Sequence, residues 1–134
     1  MFAEAGKSMA PIRVVCIEDE TEMIDLFSMI LSREGYQVIG APGGLQGLQA
    51  VEDMQPELIL LDLMMPDLDG WEVYQRLKSN PKTTHVPIIV VTARAQSIDK
   101  ILGLHIAKVD DYITKPFSPT ELLASVQKVL NKKS

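Results

Sequence analysis

The chain has 134 residues, which suits one domain with a single substantial core and leaves no room for a second functional domain. Its 18 acidic and 13 basic residues give a net charge of −5, and no basic stripe is present, which argues against direct binding to a nucleic acid. The lone cysteine, Cys16, cannot form an intramolecular disulfide, no apolar run approaches the ~20 residues needed to cross a bilayer, and Met1 to Ala10 lacks an export pattern, so a reducing cytoplasm is the expected setting.

Short apolar runs alternate with helix patterns five times, without repeats or low-complexity segments. Residues 1–10 are expected to be a poorly ordered extension, and residues 11–134 the domain. The first strand is Ile12 to Ile17. The first helix carries Met23, Leu26, Phe27, Ile30 and Leu31 on one stripe and is stopped by Gly35. Val38 to Gly40 predicts a short second strand. Pro42-Gly43-Gly44 then opens a helix of weak intrinsic propensity, with Leu45, Leu48 and Val51 as its inward stripe.

Leu58 to Leu61 predicts the third strand, and Asp69 an N-cap for a third helix in which Val73 and Leu77 face inward. Ile88 to Val91 is the fourth strand. A fourth helix is expected from about Ser97 with Ile98, Ile101 and Leu102 inward. The fifth strand lies around Tyr112 to Thr114. Ser118-Pro119 then starts a last helix striped by Leu122, Leu123, Val126, Val129 and Leu130. Three of the strands are apolar on both faces, as in a parallel sheet covered by helices on both sides. The alternation therefore predicts an α/β, doubly wound, three-layer domain.

The strands end in chemistry. Glu18-Asp19 follows the first, Asp62 the third, Thr92 the fourth and Lys115 the fifth, and the carboxyl ends of parallel strands share one edge where such folds bind ligands. Glu18, Asp19 and Asp62 together repel one another unless a cation or a proton intervenes. A hard, oxygen-seeking ion such as Mg2+ fits an all-carboxylate set. Lys115 and Thr92 would hold the oxygens of a phosphoryl group, and Asp62 would be its nucleophilic acceptor, in a reaction governed by alignment and charge stabilisation. His85 and His105 have no partners at metal-ligand spacing and read as loop or surface residues.

In its acidic pair Glu18-Asp19, the stretch Leu60 to Gly70 around Asp62, the Val91-Thr92-Ala93 step and the segment Asp111 to Phe117, the chain from about Ile12 to Leu130 resembles the receiver domain of bacterial two-component response regulators. The resemblance implies a five-stranded parallel sheet of order 2-1-3-4-5, flavodoxin-like, with Asp62 phosphorylated from the phosphohistidine of a sensor histidine kinase or phosphotransfer protein. It implies Mg2+ bound by Asp19, Asp62 and the Met64 backbone carbonyl, with Glu18 acting through a bound water, and catalytic roles for Asp62, Thr92 and Lys115. Thr92 and Tyr112 would be the switch residues, moving on phosphorylation to remodel the surface read by an unknown downstream protein.

By the same resemblance the protein is a signalling phosphoacceptor and not an enzyme, although it assists its own phosphorylation and dephosphorylation. A cytoplasmic single-domain regulator without membrane or nucleic-acid contact is expected, as a monomer or a weak phosphorylation-dependent homodimer. The Lys115-Pro116 bond matches a position where the family has a cis peptide. Bulky Met64 and Arg94 beside the site are expected to prolong the aspartyl phosphate. The segment from Leu104 to Asp111 departs from the family pattern by one residue and a missing glycine.

Two other functions compete. A phosphohydrolase with an aspartate nucleophile would need a second acid two residues on, where this chain has Met64. An unphosphorylated receiver-like docking module would have no need to confine three carboxylates.

Overall fold

A computed structural model describes residues 10–93 and 109–133. They form β1 (Ile12–Ile17), α1 (Thr21–Ser32), β2 (Tyr36–Ala41), α2 (Gly44–Met54), β3 (Leu58–Leu61), α3 (Gly70–Ser79), β4 (Ile88–Ala93), β5 (Asp111–Lys115) and α4 (Pro119–Lys133). The N-terminal extension up to Met9, the helix expected from Ser97, and residues Arg94 and His105 lie outside the described residues.

All four strand pairings are parallel and the sheet order is β2-β1-β3-β4-β5, as the resemblance implies. Because side chains alternate along each strand, the two faces build two separate cores. Val15, Ile17, Ile59, Leu61, Ile88 and Val90 pack with Val51 of α2 and with Val73 and Leu77 of α3. Val14, Cys16, Leu58, Leu60, Ile89 and Val91 face the other way, onto Phe27 and Leu31 of α1 and Leu122, Val126 and Val129 of α4. This is the three-layer, doubly wound arrangement, and the buried Cys16 is simply part of its core.

The helix ends follow local chemistry. Asp69 caps α3 by accepting from the Trp71 N–H at 2.8 Å. At α4, Glu121 N–H donates to Ser118 Oγ at 3.1 Å while Ser118 N–H donates to Glu121 Oε1 at 2.9 Å, a reciprocal capping box. Beyond α1, Gly35 takes the left-handed φ of +88° that reverses the chain into β2.

One stripe differs from expectation. Leu45 of α2 is 59% exposed, and the inward positions are Gly44, Gly47 and Val51, with Leu48 half-buried. A Cβ on Gly47 would lie 2.6 Å from Ile17 Cγ2, so α2 is drawn closer to β1 than a leucine stripe permits. The glycines that weaken the helix in isolation are what let it pack. Strands β2, β4 and β5 also extend beyond their apolar centres, because backbone pairing with neighbours recruits Tyr36, Thr92, Ala93, Asp111 and Lys115.

Candidate functional site at the carboxyl edge of the sheet

Register brings the predicted residues together. Ile17 is level with Leu61, and Leu61 with Val90, so the residues that follow Ile17 and Leu61 emerge side by side. Two further backbone bonds extend the ladder into the site: Glu18 N–H donates to Ala41 O, and Asp62 N–H donates to Ile17 O, both at 3.0 Å. Ligand oxygens of Glu18, Asp19 and Asp62 lie within 4.8 Å of one another. Glu18 and Asp62 are buried, and Asp19 is half-buried.

Among the described residues, one ammonium reaches Glu18 and Asp62. Lys115 Nζ stands 2.8 Å from Glu18 Oε1, 3.6 Å from Asp62 Oδ2 and 3.8 Å from Glu20 Oε1. The Lys115-Pro116 peptide bond is cis. Glu18 Oε2 accepts from the Glu20 N–H at 3.2 Å, and Asp62 Oδ1 accepts from the Met64 N–H at 3.1 Å. Thr92 sits in β4 beside Thr114 of β5, and its buried hydroxyl has no hydrogen-bond partner among the described residues. Tyr112 projects from the sheet edge, 42% exposed.

The electrostatics record an excess of acid. Burial pushes the Glu18 carboxyl up to about 7; the hydrogen bond from Lys115 opposes this, and the Asp62 charge adds to it. Burial also works against the charge on Lys115, but the Glu18 hydrogen bond and the charges of Asp62, Glu18 and Glu20 outweigh it and raise its pKa. The lysine therefore stays ionised while Glu18 is under-compensated. An added cation would relieve that imbalance. The all-oxygen donor set suits a hard divalent ion of the Mg2+ type.

Two contributors escape a reading of the sequence. Asp67, placed past Pro66 and away from the strand end, reaches across to α2, where its carboxylate accepts from the Gly44 and Leu45 N–H groups at 3.1 and 3.3 Å. These bonds hold its pKa below the usual carboxylate range, the Gly44 N–H contributing most. Gly70 packs against the Asp62 strand end, where an added Cβ would meet Asp62 O at 2.7 Å, and its N–H donates to Leu63 O at 3.1 Å. No local signal announces the Asp67 contact, because its partners are 22 and 23 residues away.

The family model described as the response regulator receiver domain matches residues 14–127. The chain belongs to that family. This receiver domain is 41% identical over 120 residues to the DNA-binding dual master transcriptional regulator RpaA of Synechocystis, covering 90% of this chain and 49% of RpaA. It is 40% identical over 120 residues to the alkaline phosphatase synthesis transcriptional regulatory protein PhoP of Bacillus subtilis, with coverage of 90% and 49%. The chain thus spans about half the length of the curated relatives it matches.

Among solved structures, the receiver domain superposes on a CheY-like receiver protein from Methanospirillum hungatei with TM-score 0.81, 29% identity and coverage of 92% and 96%. It superposes equally, TM-score 0.81, on the receiver domain of sensor histidine kinase PA1611 from Pseudomonas aeruginosa, at 29% identity and coverage of 91% and 99%. That structure has a magnesium ion coordinated in its active-site cleft. The receiver is a signalling domain of two-component systems, and none of its described helices is long and apolar enough to cross a membrane.

Proposed function

We propose that Asp62 is the phosphoacceptor of a Mg2+-dependent phosphorelay, within a receiver unit of residues 11–134. The observation that carries this reading is the set of three strand-end carboxylates within 4.8 Å, two of which, Glu18 and Asp62, face the Lys115 ammonium. Asp62 attacks the phosphorus of a partner's phosphohistidine. An Asp62 Oδ–P bond forms, the P–N bond breaks, and the departing imidazole takes up a proton. Asp19, Asp62 and the Met64 carbonyl would hold Mg2+, with Glu18 acting through water, and the ion would supply neutralisation of the phosphoryl charge.

The chain's own groups do the rest. Lys115, 3.6 Å from Asp62 Oδ2, offers a positive charge to the incoming oxygens. The unpartnered Thr92 hydroxyl donates to the new phosphate, and Tyr112 turns inward from its exposed position, coupling the site to the surface around β5. The net charge of −5 disfavours a nucleic acid as this unit's own partner, so the signal passes to a protein, from a cytoplasmic receiver that is monomeric or weakly dimeric. Met64, 64% exposed beside the acceptor, restricts the approach of water and lengthens the life of the acyl phosphate.

The test is incubation with Mg2+ and acetyl phosphate followed by intact mass. One phosphate adduct is expected, absent in Asp62→Asn. No adduct would favour an unphosphorylated docking module, and an adduct that survives this substitution would place the phosphate on another residue and reject Asp62 as the acceptor. A Met64→Ala, Arg94→Ala double variant that loses phosphate no faster than wild type would remove the claim on lifetime.

A further inference from the structure

The loop between β3 and α3 carries Met64 and is pinned at both ends. The Met64 N–H donates to Asp62 Oδ1 at 3.1 Å, and Gly70 N–H donates to Leu63 O at 3.1 Å, while Asp69 is occupied in capping α3. Between those points Met65 and Leu68 pack into the core, and the described hydrogen-bond tie to the rest of the domain is Asp67, whose two carboxylate oxygens take the Gly44 and Leu45 N–H groups. Helix α2 has no side-chain cap of its own, since its N-cap is Gly43. One carboxylate therefore closes the helix and anchors the loop at the same time.

The fit is close enough to account for the paired glycines. A Cβ on Gly43 would stand 3.0 Å from Asp67 Oδ2, and one on Gly44 would stand 2.9 Å from Leu68 Cβ and 2.9 Å from Val73 Cγ2. The backbone of α2 thus lies directly against the loop and against α3. Side chains at either position would push it away.

We propose that Asp67 is a positioning residue for metal binding: by tying the loop to the N-terminus of α2 it fixes the Met64 peptide, and with it the carbonyl offered to the ion. The inference rests on the phosphoacceptor reading above. Groups that orient metal ligands from behind typically change affinity ~10- to 100-fold when removed.

The experiment measures Mg2+ affinity by calorimetric titration and Tm by thermal unfolding for wild type, Asp67→Asn, Asp67→Ala and Asp67→Ala with Gly43→Ser. Asp67→Ala is expected to raise the Kd for Mg2+ about tenfold and to lower Tm. Asp67→Asn, whose amide oxygen still accepts one N–H, should fall between it and wild type. Gly43→Ser gives α2 a local cap in a place vacated by the Asp67 carboxylate, so the double variant recovers Tm while its Kd stays raised. A wild-type Kd in both Asp67→Ala and Asp67→Asn overturns the proposal. Recovery of Kd together with Tm in the double variant also overturns it, since the residue would then merely cap a helix. Failure of the wild-type protein to bind Mg2+ would strike the underlying phosphoacceptor reading instead.

Discussion

At the carboxyl edge of the sheet Lys115 serves Glu18, Asp62 and Glu20 at 2.8, 3.6 and 3.8 Å, whereas between β5 and α4 Lys128 serves Asp111 at 3.0 Å and the Ser125 hydroxyl donates to the same carboxylate. The two clusters use similar groups and respond oppositely. Burial raises Glu18 to about 7, with the Asp62 charge adding to it, and the bonds from Lys115 and the Glu20 N–H do not offset them. Burial also pushes Asp111 up, but the Ser125 and Lys128 bonds with the Tyr112 N–H outweigh it and leave that carboxyl below its usual range. How far hydrogen-bond donors offset burial, more than the presence of an ion pair, separates the two clusters.

Removing the lysines should break the comparison most sharply. Lys115 is 14% exposed and its partner Glu18 only 1%, so Lys115→Ala strips a buried carboxylate cluster of its compensation and should destabilise the metal-free protein by on the order of 3 kcal/mol in urea unfolding. Mg2+ should restore most of that loss if the Lys115 cluster is a cation site. A cost below ~1 kcal/mol would make the two clusters equivalent.

Mg2+ itself should stabilise wild type by about 2.7 kcal/mol at a hundredfold excess over Kd. It should have no comparable effect on Asp62→Asn, with Tm against Mg2+ concentration as the measurement. Equal stabilisation of both proteins would mean that the ion binds elsewhere.

How far this contrast was legible beforehand depends on where the determining contact lies. The strand ends could be read directly, because Ile17, Leu61 and Val91 each close an apolar run and a polar group follows at once. Parallel order and register then had only to level those ends. The approach of α2 could not be read, because Gly47 looks like a helix weakness until Ile17 is known to stand 2.6 Å from its absent Cβ. Nor could the division of Lys115 between Glu18 and Asp62. That depends on side-chain reach across three strands, and the extra methylene of glutamate brings Glu18 closest. Asp67 and Ser125 were hidden for the same reason, since their partners are distant in sequence.

The pH dependence should separate the clusters with opposite slopes. Glu18 has a folded pKa of about 7, above its ordinary 4.5, so the folded metal-free protein binds the extra proton between those values. Stability should therefore fall as pH rises across that window, and Glu18→Gln should flatten the slope. Asp111 is shifted down from 3.8, so its contribution is present above that pH and is lost as the pH falls through the acid range. Asp111→Asn should flatten only this acid limb. Urea midpoints measured from pH 3 to 8 in chelator provide the test, and identical pH profiles for the two variants would dissolve the distinction.

The smallest effect belongs within the Asp111 cluster. Ser125 is buried and donates to Asp111, while the Lys128 side chain is 55% exposed and screened by water. Ser125→Ala removes a hydrogen bond to a charged acceptor and should cost roughly 1.5 kcal/mol, whereas Lys128→Ala should cost about 0.5 kcal/mol and less in high salt. Both costs should be independent of Mg2+, because neither residue touches the Glu18, Asp19 and Asp62 oxygens. If Lys128→Ala instead altered Mg2+ affinity, the β5–α4 cluster would be part of the switch that Tyr112 serves, since Asp111 and Tyr112 are adjacent in the same strand.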